Sequence, residues 1–439
     1  MSVKRQISLL LAVLMACSVL AGCTDQPTGD SISIYPIQGE KLAAPTYGEH
    51  DPSVEAVANG ANDFAFRLSA ELLAGKETEN FVCSPYSVWL PLAALVNATD
   101  DDSRDALLAA LAAQGVTAKE INHAASRMLF DLTKEGSREY EPDSHNPLRM
   151  ANAIFVDYEE TLKSEFAQSF ADFYRGQVFA VDFGNADAVN AVNQWASEHT
   201  EGLINDIIQQ FDPDTVAAIA NAIYFSDRWE WEFKADQTTE NAFYGPTGQS
   251  SAHFMLREGD NQTYYEDDCL QAMPLRFKSG GALYILLPKD GDAAGLLSSM
   301  DEMYFQEIQD DSIQASGKLL LPRFTIDSGV VELNDALESL GIPLFDQKAA
   351  ALTGGLIEGN SPVWLSSAVQ SAVISVDEKG TTAAAVTVMA EAGAAMPEPT
   401  TPFDMTCDRP FVFILCDSTY DGGTQILFTG IVNQPEIAG

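Results

Sequence analysis

Histidine is scarce in this chain, and its five copies stand far apart: His50, His123, His145, His199 and His253. None forms an H-x-x-x-H pair and no H-E-x-x-H occurs, which removes the common helix-borne zinc sites. His199, in Glu198-His199-Thr200, reads as a helix-end or surface residue. There is no G-x-S-x-G elbow to present a serine nucleophile. There is no G-x-x-x-x-G-K loop to cradle a phosphate. Carboxylates are the opposite case: with 64 Asp and Glu, pairs arise by chance, and a glycosidase dyad cannot be argued from them. Basic residues number only 24, and the net charge is −40. Phosphate binding needs basic surface, so nucleic acid is not an expected partner. The charge serves solubility in one reading; in another it draws a cationic partner and raises its association rate.

Cysteine is sparse too. Six occur, with no C-x-x-C pair. Cys83, Cys269, Cys407 and Cys416 are widely scattered. Cys407 and Cys416 fall on what reads as one strand, too far apart to bridge if extended. These four are expected to be small buried hydrophobes or free thiols rather than a disulfide framework. Also missing is an apolar run of the roughly 20 residues that span a bilayer. The longest candidate, Ile7 to Leu20, is shorter, follows Lys4 and Arg5, and ends at Ala21-Gly22-Cys23. That is the layout of an export signal, with a retained signal anchor as the competing reading. Leu20-Ala21-Gly22-Cys23 resembles the bacterial lipobox, whose cleavage leaves the cysteine as a lipidated N-terminus. On this reading residues 1–22 are removed and Cys23 carries the lipid. Loss of two basic residues takes the charge from −40 to −42. Residues 24–50 contain Pro, Gly and Ser without periodicity, so 23–50 reads as a flexible tether. From 51 to 439 there is no comparable break and no internal repeat, which predicts one large domain.

Helical periodicity dominates the first half of that domain. Val54, Val57, Ala61, Phe64, Leu68 and Leu72 recur at spacings of three and four. SPYSVWLPLAALVNAT, SRDALLAALAAQ and NADAVNAVNQWASEHTEGLINDII also read as helices, the last opening on asparagine cap chemistry. Strand signals are RMANAIFVDY, TVAAIANAIYFSDRWEWEF, GALYILLPKDG, GKLLLPRFTI, SAVISVD and RPFVFILCD. There is no regular βαβ alternation, which predicts an α+β fold with largely antiparallel sheets.

The unusual segment lies near the C-terminus. After Val376-Asp377-Glu378-Lys379 comes an uncharged stretch of mostly small residues from Gly380 to Ala390, closed by Glu391. Ala392-Gly393-Ala394-Ala395-Met396 and a stretch punctuated by Pro397, Pro399 and Pro402 follow. Thr, Ala and Val alone suit an ordinary buried strand or helix as well as they suit a loop. The Pro and Gly that follow favour an exposed loop.

This segment resembles the hinge and reactive-centre loop of inhibitory serpins, with their E-x-G-T-x-A-A-A-x-T pattern. Other stretches are similar in the same order. Asn80 to Ser87 matches N-x-x-x-S-P-x-S, and Asn221-Ala222-Ile223-Tyr224-Phe225 with Trp229 and Phe233 matches N-A-I-Y-F…W…F. Leu321-Pro322-Arg323-Phe324, Asp408-Arg409-Pro410-Phe411, Ile426 to Gly430 and Pro435 complete the set. The resemblance covers about residues 55 to 435. It implies the serpin fold: about nine helices on three mostly antiparallel sheets, with an exposed loop at about 378–404. It implies a suicide inhibitor that contributes no catalytic group and needs no metal or cofactor. A protease attacks the loop, and the cut loop inserts as a new central strand.

The hinge would comprise Glu378, Gly380, Thr381, Thr382, Ala383, Ala384, Ala385, Val386 and Thr387. On the matched register Thr381, Ala383, Ala385, Thr387 and Met389 turn inward, and none is charged. Burying an unpaired charge there would cost several kcal/mol. The family's usual spacing from Glu378 puts the reactive bond at Ala394–Ala395, with Met396 as the alternative if the register slips. A small apolar residue there suits an elastase-like pocket. No Lys or Arg lies between Lys379 and Arg409, which disfavours trypsin-like targets. Ser84, Ser87 and Asn221 match a polar cluster beneath the opening sheet, where Gln370 stands in place of the family's histidine. Glu378 is expected to pair with Arg323 beside Trp229. Thr200-Glu201-Gly202-Leu203 departs from the family's T-x-G-K. Basic helix-face residues that bind heparin in some members are missing. The expected partner is therefore a serine protease, elastase-like and, on one reading of the charge, cationic, met by a monomer held on the cell surface or released outside it. A cysteine protease as target, or a non-inhibitory binding module on the same fold, remain the other readings.

Overall fold

The computed structural model describes residues 33–34, 51–133, 148–200, 202, 207–211, 215–381, 401–419 and 423–435. In chain order they form β1 (Ser33–Ile34), α1 (Pro52–Leu73), β2 (Phe81–Cys83), α2 (Pro85–Leu95), α3 (Asp101–Ala110), α4 (Ala118–Leu132), β3 (Leu148–Asp157), α5 (Ser164–Tyr174), β4 (Gly176–Val181), α6 (Ala186–His199), β5 (Ala217–Phe225) and β6 (Asp227–Arg228). There follow β7 (Thr239–Gly245), β8 (Gly248–Glu266), β9 (Leu270–Arg276), β10 (Ala282–Pro288), α7 (Ala293–Ser299), α8 (Glu302–Asp310), β11 (Ile313–Pro322), β12 (Phe324–Glu332) and α9 (Asn334–Ser339). The last are β13 (Leu365–Val376), β14 (Gly380–Thr381), β15 (Thr401–Thr406), β16 (Phe411–Ser418) and β17 (Thr424–Val432).

Local chemistry accounts for the helices. Asp51 caps α1 by accepting from the Ser53 amide, with Pro52 at the first helical position, where its missing N–H costs nothing. Val54, Val57, Ala61, Phe64, Leu68 and Leu72 are all buried, as their spacing predicts. A capping box between Thr117 and Glu120 starts α4. Every residue of α2 is buried, so this helix runs through the interior rather than along its edge.

The strands fall into two hydrogen-bonded networks. The second divides in two because β8 is long enough to serve both halves: its first part pairs with β7 and β11, its last residues with β9. The three expected sheets are thus present with one shared strand. The first sheet carries the site. β4 and β3 are parallel, β3 and β5 antiparallel, and β5 and β13 parallel. β12 covers the far edge of β13. The inner face of this sheet packs on α2 and the main core. Phe155, Phe179 and Trp195 build a smaller cluster under α6 on the outer face. The backbone of Ser33 and Ile34, within the expected tether, pairs with Ala180 and Phe179 at the edge of β4. Cys407 and Cys416 lie on different segments, the first following β15 and the second within β16. Both are buried and free, as is Cys83, while Cys269 is exposed. No helix among the described residues is long and apolar enough to cross a membrane.

One buried carboxyl gives the fold a pH dependence. Asn62 of α1 donates to the Thr424 carbonyl (2.6 Å) and accepts from Gln425 Nε2 and the Ile426 amide (both 2.9 Å). It also donates to Glu302 Oε1 at 3.2 Å, while Glu302 Oε2 is buried without a partner. Burial pushes the Glu302 carboxyl up to about 7, and the charges of Asp63 and Asp301 push the same way. The folded state therefore holds a proton that the unfolded chain gives up at ordinary carboxyl values. Stability falls as pH rises from about 4.5 to about 7 and levels off above. Glu302→Gln should raise the urea midpoint at pH 8 by the equivalent of about 2 kcal/mol and change it little at pH 5. Equal midpoints for the two proteins at pH 8 would refute this.

Candidate functional site

Two clusters on the first sheet bring the sequence-identified residues together. One lies at the root of the loop. β13 ends at Val376, and Asp377 Oδ1 accepts from the amides of Lys379 (2.7 Å) and Gly380 (3.2 Å), turning the chain back on itself. Gly380 and Thr381 then run antiparallel to β13, with Thr381 opposite Val376, and their other edge pairs with Asp227 and Arg228 of β6. Glycine is required here by close approach: a Cβ at 380 would stand 2.0 Å from the Asp227 carbonyl oxygen. The Thr381 side chain is fully buried, and its hydroxyl accepts from the Asp227 amide at 3.2 Å.

The expected Glu378–Arg323 pair is present. Arg323 Nε donates to Glu378 Oε1 at 2.9 Å and Nη2 reaches the same oxygen. Thr238 Oγ1 adds a third donor at 2.5 Å. Burial opposes ionisation of Glu378, but the hydrogen bonds from Arg323 and Thr238 outweigh it and hold the carboxyl below its usual range. Trp229 is wholly buried, stacks on Phe277 at 4.6 Å, and donates from Nε1 to the Asp377 carbonyl at 2.8 Å. The amides of Trp229 and Phe233 donate to the carbonyls of Lys379 and Glu378. The turn is thus tied down on three sides, and the described chain leaves it at Thr381.

The second cluster lies lower on the inner face. Asn152 of β3, Asn221 of β5 and Gln370 of β13 stand side by side, since Asn152 is in register with Asn221 and Asn221 with Gln370. All three are buried. Gln370 Nε2 donates to the Ser84 carbonyl (2.7 Å) and Ser87 Oγ (2.8 Å), and Gln370 Oε1 accepts from the Ser84 amide at 3.0 Å. Ser84 Oγ donates onward to the Leu427 carbonyl at 2.7 Å. Gln370 thereby bolts β13 to the start of α2, where Ser84 lends no side-chain cap. Asn221 does not join it and donates instead to Asn152 Oδ1. Asn152 was not singled out from the sequence. Its signal was there: a polar residue in the middle of the apolar run RMANAIFVDY, echoing Asn221 in NAIYF.

Thr382, Ala383, Ala384, Ala385, Val386 and Thr387 of the expected hinge, Met389 beyond it, the expected reactive bond at Ala394, Ala395 or Met396, and the expected lipidation site Cys23 lie outside the described residues. Beyond them, β15 pairs in parallel with β11 and anchors the chain again. His199 Nδ1 lies 2.7 Å from the Trp195 carbonyl at the end of α6, a helix-end role. Among the described residues no three metal-ligating side chains gather.

A family model described as serpin (serine protease inhibitor) matches residues 59–435. Among curated proteins, mouse alpha-1-antitrypsin 1-4 is 28% identical over 393 residues, covering 88% of this chain and 91% of that protein. An uncharacterized serpin-like protein of Thermococcus kodakarensis is 28% identical over 452 residues, covering 98% and 99%. Among solved structures, the thermophilic serpin tengpin in its native state superposes with a TM-score of 0.76 at 24% identity, covering 91% and 97% of the two chains. Human thyroxine-binding globulin does so at 0.74 and 22%, covering 87% and 99%. These superpositions concern the fold.

The lower cluster makes a direct prediction. Gln370→Leu removes three hydrogen bonds and leaves the buried Ser84 amide without an acceptor. It should cost about 2–4 kcal/mol in urea unfolding, against about 1 kcal/mol for Ser87→Ala. Equal small losses for the two would show that Gln370 does not bolt β13 to α2.

Proposed function

The chain belongs to the serpin family, whose members are generally protease inhibitors, and from that premise we propose that it is an irreversible suicide-substrate inhibitor of elastase-like serine proteases. The observation that carries this reading is the wedge at the root of the loop. β5 and β13 are paired from Leu365 opposite Ala217 to Ser371 opposite Ala222. Among the described residues, the next partner along that edge of β13 is Thr381, opposite Val376. The loop thus enters the sheet at the mouth of the β5–β13 seam, antiparallel to both arms.

Continuing both registers inward gives the path of insertion. Ala383 comes to lie between Ile374 and Phe225, and Ala385 between Ala372 and Ile223, all four of them core-facing. Alternate side chains of a strand share a face, so Thr381, Ala383, Ala385, Thr387 and Met389 go under the sheet. Thr382, Ala384, Val386 and Val388 stay on top. Small uncharged residues let the arms part and close at little cost.

In this mechanism the protease serine attacks the scissile carbonyl of Ala394 and forms an acyl-enzyme. The amine of Ala395 leaves with the C-terminal segment. Freed from its far anchor, the loop advances along the seam and carries the tethered protease with it, distorting the oxyanion hole before water completes deacylation. The driving force is a native state held above the inserted form. The absence of Lys and Arg from 380 to 408 supports a pocket for small apolar residues. The strongly negative charge suits a cationic protease. For localisation, the Leu20-Ala21-Gly22-Cys23 motif supports export and a lipid on Cys23, with residues 23–50 linking that lipid to the domain and Ser33 and Ile34 among them docked on β4.

Incubation with neutrophil or pancreatic elastase should give a complex that survives SDS, and mass spectrometry should find a released peptide beginning at Ala395. Thr381→Arg should turn the protein into a substrate, cleaved at the same bond with no complex formed. A Thr381→Arg variant that inhibited as well as the parent would remove loop insertion from the mechanism. A protein cleaved without complex or gain in stability would point to the binding-module reading, and a complex with papain-like enzymes alone to a cysteine-protease target.

A further inference from the structure

Away from the loop, a cavity of about 440 Å³ opens where the end of α2 and the start of α3 meet the start of α5 and the 353–355 turn. Its walls are held firmly. The turn is pressed against the end of α2, and a Cβ on Gly355 would stand 1.8 Å from the Ala98 carbonyl oxygen. Asn97, on the wall, and Asn122 behind it form a reciprocal pair, Nδ2 to Oδ1 at 2.9 and 3.0 Å. Arg104 donates from Nε to the Val96 carbonyl (3.1 Å) and from Nη2 to the Thr99 carbonyl (2.6 Å). Lys163 Nζ donates to the Gly354 carbonyl. Both cations are thus fixed by neutral carbonyls and keep further N–H groups to donate.

Four charges line this cavity without closing into pairs. Arg104 and Lys163 are half-buried in its wall, whereas Asp100 and Glu165 are exposed at its rim. Arg104 pairs with Asp101, which is not part of the lining. Among the described residues, Lys163, Asp100 and Glu165 join no ion pair, so the opposite charges around the cavity stand more than 4.0 Å apart. Ser169, one turn on from Glu165 along α5, accepts from Asn122 at 3.5 Å, and Thr353 Oγ1 accepts from the Val363 amide at 3.0 Å. Each hydroxyl therefore keeps its proton to give. Among the described residues of the lining, Phe166 is the one apolar side chain. The volume falls within the range of small-molecule sites, about 300–1,000 Å³, but such a wall suits a polar ligand rather than an apolar one. An anion alone would meet Asp100 and Glu165. A cation alone would meet Arg104 and Lys163. A neutral sugar would leave all four charges uncompensated. A molecule that carries both signs, some distance apart, satisfies them together.

We propose that this cavity binds a short free peptide as a zwitterion, with its carboxylate directed inward onto Arg104 and Lys163 and its ammonium held at the rim by Asp100 and Glu165. Ser169 and Thr353 donate to the inward carboxylate. Because the two cations are already fixed by the backbone, binding has little side-chain order to impose on them. Peptide-bond hydrolysis is the class of reaction that supplies such a molecule. The site shares no residue with the loop or its root, so it does not rest on the inhibitory reading.

Titration calorimetry on the full chain tests this with trialanine, N-acetyl-trialanine, trialanine amide, glucose and inorganic phosphate. Trialanine should bind at a single site. Blocking either end should weaken it about tenfold, the equivalent of one lost charge-assisted hydrogen bond. Glucose and phosphate should give no heat. Glu165→Gln, a change at an exposed position, should narrow the gap between trialanine and its acetylated form and leave the gap to the amide as it was. Lys163→Gln should do the reverse. No heat from trialanine would overturn the site, as would equal binding of the blocked and free peptides, or tighter binding of glucose or phosphate. Gaps unaltered by Glu165→Gln would overturn it too, placing the peptide elsewhere, and that variant decides the matter alone if Lys163→Gln fails to fold.

Discussion

The structure turns on the seam between two parallel strands, β5 and β13, that are joined along only part of their length. Parallel neighbours normally come with a helical crossover that buries them as a unit. Here the pair is neighboured on both sides by antiparallel strands, and its upper end is entered by the short β14 wedge. A seam of this kind has two competing fillings: the strands' own pairing, or a third strand antiparallel to both. The second makes two sets of ladder bonds where the first makes one. On the proposed reading, anchorage of the chain at β15 on the loop's far side keeps the loop out of that place.

Among the described residues, no side-chain bond between β5 and β13 holds the seam shut. Gln370 and Asn221 are neighbours on the two strands, yet each turns away, Gln370 down to α2 and Asn221 sideways to β3. Each arm is therefore fastened to its own backing, and parting them breaks backbone pairs without breaking the fastenings. The wedge above is fixed in the opposite sense. Glu378, Asp377 and Trp229 clamp the turn and fix Gly380 and Thr381 in one register between β13 and β6. On the proposed reading, a firm mouth with independently backed arms lets a strand enter without melting the sheet.

Much of this was legible in the chain, and the failures have physical causes. The apolar runs of β3, β5, β10, β13 and β16 announced themselves, as did the periodic face of α1. The long β8 did not, because GQSSAHFMLREGDNQTYYE is polar along much of its length and has exposed residues over its middle; pairing on both edges holds it rather than burial. Cys407 and Cys416 read as one strand although Asp408 and Pro410 between them are local break signals, and the structure puts the first after β15 and the second in β16. Ser84, Ser87, Gln370, Glu378 and Arg323 came from motif resemblance, and their contacts agree with it. Asn152 was passed over because an asparagine in an apolar strand looks like tolerated noise until its neighbour across the sheet is known. The edge pairing of Ser33 and Ile34 was unreadable for the same reason, since two residues carry no period.

Gln370 also changes where the molecule feels pH. A histidine at this spot would titrate near neutrality, and its charge would strengthen or break the fastening of β13 according to the medium. The amide makes its three bonds at every pH at which the protein is folded. The described group that burial does bring to about 7 is Glu302, in the core between α1, α8 and β17, away from the seam. Its ionisation loads the scaffold as a whole rather than the arms that part. Acidification should therefore reinforce the body through Glu302 while weakening the clamp at Glu378, whose carboxyl is held low by Arg323 and Thr238 and loses those bonds only well below neutrality. Between those two limits the fastening of the seam contains, among the described residues, nothing that titrates, and on the proposed reading the balance between pairing and insertion is left to backbone geometry and the side chains of the loop.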